Sequence, residues 1–100
     1  MSYYIRHKDD TTSPVDRANS FIYEEIQLFT WYHKGRGEFQ VVEATTGLLL
    51  SSKTTEEEAL NEAKEILNKV GIDKAREKII ELQKKFNINI LKPIMNTETL

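Results

Sequence analysis

The chain contains no cysteine among its 100 residues. Without thiols it has no disulfide framework, no thiolate nucleophile and no cysteine-based zinc site. Long hydrophobic runs are also missing: the three leucines at 48–50 fall far short of the roughly 20 apolar residues that a membrane-spanning helix needs. The opening residues, MSYYIRHKDD, lack the apolar core of a secretory signal. We therefore expect a cytoplasmic protein.

Positive and negative charges nearly balance. Lysine and arginine number 14 against 16 acidic residues, which gives a formal net charge of −2. Nucleic-acid binding draws on phosphate neutralisation by basic side chains, so the overall charge gives no support for it and only a local basic patch could.

The residue patterns of common catalytic sites are missing as well. The two histidines, His7 and His33, are 26 positions apart and have no helical or turn-spaced partner for a metal. The chain has no Gly-x-Ser-x-Gly elbow and no P-loop. We interpret it as non-enzymatic and expect neither metal nor cofactor.

The composition is that of an ordinary globular protein, with 39% hydrophobic and 30% charged residues. We expect one domain over residues 1–95 and a frayed tail over 96–100. The richness in lysine, isoleucine and asparagine indicates an AT-rich coding sequence, as in a bacterial or phage mobile element.

Residues 54–70, TTEEEALNEAKEILNKV, give the strongest secondary-structure signal. The apolar side chains lie on one arc of a helix of 3.6 residues per turn, with charged residues outside it. Thr54 or Thr55 suits the N-cap, Thr55 and Glu58 have capping-box spacing, and Gly71 suits the exit. A second helix is predicted over 74–86, with Asp73 as its cap, followed by a strand at 88–91.

The middle of the chain predicts a β-hairpin of strands 25–34 and 38–44 around Gly35, Arg36 and Gly37, with a further strand at 48–51. Residues 2–5 predict a short strand. For residues 13–29 both helix and strand remain open: Ser13 and Pro14 favour a short helix over 14–20, whereas the later residues are β-branched or aromatic. The predicted fold class is α+β, a mostly antiparallel three- to four-stranded meander with two C-terminal helices on one face. The element order is roughly β-β-β-α-α-β, with a short N-terminal helix as an addition.

Two helices can cover only one face of this sheet. If Lys34 pairs with Glu38, the other face carries a large apolar patch, which either the N-terminal segment, a second subunit or another partner must cover. The candidate interface residues are Phe29, Trp31, Phe39 and Val41.

The hairpin tip offers a different surface. His33, Lys34 and Arg36 lie there beside aromatic residues, and basic groups between aromatics can hold a nucleic-acid backbone and stack its bases. Because Glu38 and Glu43 dilute the charge, we favour a solvated turn over a binding site at this tip.

Two partial family resemblances concern the strands and the first helix. Residues 38–67, with strands around a turn and then Thr55, Glu58 and Ala59 in a Thr-x-x-Glu-Ala pattern, resemble the HicB-type antitoxin half-domain. That family has a Pro/Gly-containing turn where this chain has ATTG at 44–47. Three strands followed by a helix are also similar to the arm-type DNA-binding domain of phage integrases, which would imply a basic sheet that this sequence lacks. Neither resemblance assigns the chain to a family.

The leading functional hypothesis is a non-enzymatic protein-interaction or regulatory domain that binds a protein partner or a second copy of itself. The alternative is a nucleic-acid-binding module that uses the hairpin tip. Neither a small-molecule ligand nor a membrane is expected as a partner.

Overall fold

A computed structural model describes residues 3–9, 11–15 and 17–85. The described chain is an α+β fold in which six strands precede two helices. The strands are β1 (Tyr3–Arg6), β2 (Thr12–Val15), β3 (Asn19–Tyr23), β4 (Ile26–His33), β5 (Glu38–Glu43) and β6 (Leu49–Lys53). The helices are α1 (Glu56–Val70) and α2 (Ile72–Lys85). Among the described residues, no helix is long and apolar enough to cross a membrane.

The strands form two antiparallel sheets. β3, β4, β5 and β6 make a four-stranded meander in chain order, and β1 pairs with β2 in a separate hairpin. The predicted meander, its central hairpin and the first strand are therefore confirmed. The backbone amide of Arg6 donates to the carbonyl of Gly47 at 3.2 Å, which ties the end of β1 to the turn before β6.

The predicted helix over 14–20 is wrong. Pro14 lies in strand β2, opposite Tyr4, and Asn19 and Ser20 begin strand β3. A proline is acceptable at a strand position whose nitrogen faces no ladder partner. The cap signal of Ser13 and Pro14 is local, and pairing of β2 with β1 overrides it.

Helix α1 is confirmed, with Thr55 as its N-cap: the Thr55 hydroxyl accepts a hydrogen bond from the amide of Glu58 at 3.1 Å. Gly71 ends the helix with a φ of 100°, and its backbone N–H donates a hydrogen bond to the Leu67 carbonyl. The second helix begins earlier than predicted, because the Gly71 carbonyl already accepts from the amide of Ala75. Asp73 thus lies in the first turn of α2 and is not its cap. The predicted strand at 88–91, the tail at 96–100 and Phe86 lie outside the described residues.

The meander separates two apolar layers. On the side that we call the helix face, buried Ile26, Leu28 and Val41 pack with Ala59, Ala63, Leu67 and Ala75 of the helices. The opposite side, which we call the hairpin face, carries buried Phe29, Val42 and Ala44, and these pack with Tyr3 and Val15 of the β1–β2 hairpin. Both helices therefore lie on one side of the sheet, as the sequence predicts.

Candidate interaction surface

The four residues predicted to form one apolar patch lie on opposite faces of the sheet. Phe29 and Trp31 belong to the hairpin face, whereas Phe39 and Val41 belong to the helix face. The cause is a shift of one residue in register. His33, and not Lys34, pairs with Glu38, so the tip loop has four residues and every side chain of β5 changes face relative to the expectation.

The N-terminal hairpin covers the centre of the hairpin face. The rings of Tyr3 and Phe29 have centroids 4.9 Å apart, and both residues are buried. Of the three coverings that the sequence leaves open, the N-terminal segment is the one that the structure places there. Two of the candidate interface residues, Phe29 and Val41, are each 0% exposed within the chain itself.

Trp31 marks the border of this covered area. Its side chain packs against the same cluster as Phe29 and lies 5.0 Å from the His33 ring. The indole N–H is buried and has no hydrogen-bond partner among the described residues. A buried donor without a partner is costly, so this position is held by packing and not by polar contacts.

The three residues predicted to contact nucleic acid, His33, Lys34 and Arg36, have different surroundings at the hairpin tip. The His33 carbonyl accepts from the amides of Arg36 and Gly37 at 3.1 and 2.8 Å, and its ring nitrogen Nδ1 accepts from Arg36 at 3.2 Å. His33 is half-buried and organises the turn, while Lys34 and Arg36 are exposed. Gly37, with a φ of 65°, supplies the left-handed residue that closes the loop.

Next to these two basic residues is a partly exposed aromatic pair. Tyr32 is 49% exposed, and its ring meets that of Phe39 edge-on with centroids 5.1 Å apart. The tip therefore presents one partly exposed aromatic ring and, on the adjoining loop, an exposed lysine and an exposed arginine.

The largest apolar exposure within the described residues is at the edge strand β3. Ile22 is 76% exposed, although it lies in a strand and points to the hairpin face opposite Gln27. Next to it is an open groove of about 450 Å³, lined by Tyr3, Ser20, Ile22, Gln27 and Ala44 among others. The β1–β2 hairpin covers Phe29 and Val42 and leaves this part of the face open.

The backbone of β3 also has a free side. Tyr23 pairs with Ile26 across a two-residue loop, and such a closing pair exchanges both of its N–H···O bonds. Alternation along the strand then directs the N–H and C=O groups of Ser20 and Ile22 away from β4. No strand of the described chain pairs with that side of β3.

The opposite edge strand, β6, is better protected against pairing. Its register with β5 is interrupted between Val41 and Val42, and it carries the charged Lys53. Bulges and lysines are common protections of sheet edges. Strand β3, whose sequence is Asn-Ser-Phe-Ile-Tyr, has no charged residue, no proline and no irregular register.

Two acidic residues, Glu43 and Glu56, accept hydrogen bonds from side chains or amides within the fold. Glu43 is 2% exposed, and its carboxylate accepts from the amides and hydroxyls of Thr45 and Thr46. Hydrogen bonds from the Thr30 hydroxyl and the Asn19 amide group lower the pKa of Glu56. No group of three or more His, Asp or Glu side chains that could hold a metal occurs within the described residues.

Comparison with known proteins gives no match: no protein-family model, no curated protein and no solved structure is significantly similar to this chain. The β3 surface was not among the surfaces predicted from the sequence. The signal that could have indicated it is the uncharged stretch between Arg17 and Glu24, which fits an unprotected edge strand once the sheet order is known.

Proposed function

We propose that the chain is a non-enzymatic protein-interaction module that binds an extended, apolar segment of a protein at the edge of strand β3. The observation that carries the proposal is the exposure of Ile22, 76% in a strand without charge or proline. Isolated exposed apolar residues are common on protein surfaces. Here the exposed side chain adjoins both a groove and unpaired backbone groups, which is what distinguishes it.

The chemistry of this surface defines the class of partner. An added strand would accept hydrogen bonds from the outward N–H groups of Ser20 and Ile22 and donate hydrogen bonds to their C=O groups, as in β-augmentation. Its alternate side chains would enter the groove beside Tyr3 and Ala44, which favours small or medium apolar residues. The proposal places the module in the cytoplasm, as the sequence leads us to expect.

A display library of random heptapeptides, selected on the immobilised full chain, tests this function. We expect enriched peptides with apolar residues at alternate positions, and we expect them to lose binding to an Ile22→Lys variant. The matched control is Ile80→Lys, because Ile80 is an equally aliphatic side chain, 50% exposed on helix α2. Peptides that bind both variants equally, or no enrichment at all, would contradict the proposal.

A second candidate function is binding of single-stranded nucleic acid at the hairpin tip. It is favoured by the exposure of Tyr32 beside Lys34 and Arg36, since an open aromatic ring can stack a base while the cations hold its phosphates. Fluorescence anisotropy with a labelled oligonucleotide should show binding that weakens steeply with salt. Tyr32→Ala and the double variant Lys34→Ala/Arg36→Ala should each abolish it, and no binding at low salt would rule it out.

A further inference from the structure

We propose that the occupant of the β3 edge is a second copy of this chain, paired antiparallel through β3 in a two-fold symmetric dimer. The inference rests on the proposed function, because it uses the same edge and groove. It specifies the partner of that surface and predicts a register for the contact.

The outward backbone groups restrict how two copies can pair. Only Ser20 and Ile22 direct their N–H and C=O groups to the open side within β3, so these residues must form the hydrogen-bonded pairs. A two-fold axis at Phe21 pairs Ser20 of each copy with Ile22 of the other. This register uses both outward residues of both strands, and a shift of two residues in either direction would lose part of the ladder.

The side chains are self-complementary in this register. Residues directly opposite in an antiparallel pair share a face, so Ile22 of one copy lies beside the small Ser20 of the other. Because Ser20 lines the groove of about 450 Å³, each exposed Ile22 enters the groove of the other copy. Because the exposed Ile22 and the groove lie on the same surface, this surface can pair with a second copy of itself in an isologous contact.

The charges that flank β3 are complementary too. Arg17 precedes the strand, and Glu24 and Glu25 follow it. Antiparallel pairing about Phe21 brings Arg17 of each copy opposite the acidic turn of the other. Glu25 also contacts Arg76 at 3.3 Å, but its side chain is 85% exposed and open to a second cation.

Pairing through β3 also closes the assembly. The axis joins the two open β3 edges to each other and leaves the protected β6 strands at the ends of a continuous eight-stranded sheet. A head-to-tail contact of β3 with β6 would instead produce rings or open filaments and no dimer. The irregular register and the lysine of β6 oppose that alternative.

Sedimentation equilibrium of the full chain from about 1 μM to about 1 mM tests the dimer, because a single-strand contact belongs to the small, weak class of interfaces. We expect the mass to rise from the 11.6 kDa of one chain to a plateau at twice that value. Ile22→Lys should weaken the association at least about tenfold, because a charge would replace a buried anchor. Ile80→Lys should leave it unchanged.

Two further variants separate strand pairing from a general apolar contact. Ser20→Pro removes an outward N–H that β4 does not use, so it should prevent dimerisation while the far-ultraviolet circular dichroism is retained. Phe21→Cys introduces a single thiol at the proposed axis, where opposing Cα atoms should be about 4.5 Å apart and can form a disulfide. We expect this variant to oxidise to a covalent dimer, and an Ile80→Cys variant not to do so.

The outcomes distinguish the dimer from the broader function. A monomer up to the highest concentration overturns the dimer, and if selected heptapeptides still bind at Ile22, the interaction function stands without it. A mass that keeps rising overturns the closed two-fold contact. Slow hydrogen exchange of the Ser20 and Ile22 amides in a monomer would show that the chain covers its own edge, which contradicts both proposals.

Discussion

Tyr3 packs against Phe29 with ring centroids 4.9 Å apart and an angle of 35° between the rings. Tyr3 is 2% exposed and Phe29 is 0% exposed, so an N-terminal side chain completes the core on the hairpin face. The residues of the β1–β2 hairpin are therefore structural. Their coverage ends short of Ile22, which leaves β3 as the apolar edge available to a partner.

Tyr3→Ala should destabilise the protein by about 2–4 kcal/mol, since it leaves a cavity above Phe29. Urea denaturation followed by circular dichroism measures this change. Tyr4→Ala is the matched control, because Tyr4 lies on the other side of β1 and is only partly buried. We expect it to cost less than about 1 kcal/mol. Equal effects of the two substitutions would contradict the placement of β1.

Glu43→Gln should destabilise the protein by about 1–3 kcal/mol. The Glu43 carboxylate accepts hydrogen bonds from the amide and hydroxyl of Thr46 at 2.8 and 2.6 Å in a buried site. A glutamine would present an NH₂ group to some of these donors. Glu57→Gln, at an exposed position in the first turn of α1, should have little effect on the urea midpoint and serves as the control.

Thr30→Val should change the pH dependence of stability. The hydrogen bond from Thr30 is the main cause that holds the pKa of Glu56 below its ordinary value of 4.5. A carboxyl group with a lowered folded-state pKa stabilises the fold above its unfolded-state pKa, and that contribution disappears as the pH falls through the folded-state pKa. Relative to the variant, the wild-type chain should be more stable near pH 6, by about 1 kcal/mol, with the difference shrinking below pH 4.5.

The measurement for Thr30→Val is the free energy of unfolding in urea at a series of pH values from neutral to acid. Thr12→Val is the control, because Thr12 is an exposed residue in a strand and has no role at Glu56. Wild-type and Thr30→Val curves that stay parallel through the acid range would contradict the assignment.

The sequence predicts the helices well because their signals are local. Thr55, Glu58 and Gly71 fix the ends of α1 by capping, and the apolar spacing fixes its face. The side on which each residue of β5 lies depends on whether the tip loop has three or four residues. Both Gly35 and Gly37 suit either loop, so a difference of one residue decides whether Phe39 and Val41 share a face with Phe29 and Trp31.

The sequence does not predict the β3–β4 hairpin, for a related reason. Glu24 and Glu25 adopt φ values of 50° and 69° in its two-residue loop, which is the conformation of a type I′ turn. That turn favours asparagine and glycine, so two glutamates give no sequence signal for it. Without a signal for this hairpin, residues 13–29 stay open between helix and strand, and the edge on which the proposed function depends cannot be predicted.

The poor fit of two glutamates to this turn leads to a prediction about stability. Glu24→Asn/Glu25→Gly should stabilise the protein by about 1 kcal/mol, because asparagine and glycine tolerate the left-handed conformation that glutamate adopts at a cost. The ion pair of Glu25 with Arg76 is lost, but Glu25 is 85% exposed and such a pair contributes little. The thermal midpoint measures the gain, and it should be determined at low protein concentration so that association does not contribute.

The control variant is Glu57→Asn/Glu58→Gly, which places the same two residues in the first turn of α1. It should lower the midpoint because it removes helix-favouring carboxylates. A lower midpoint for the turn variant would show that Glu24 and Glu25 are not in a type I′ turn, and the pairing that exposes Ser20 and Ile22 would have to be revised.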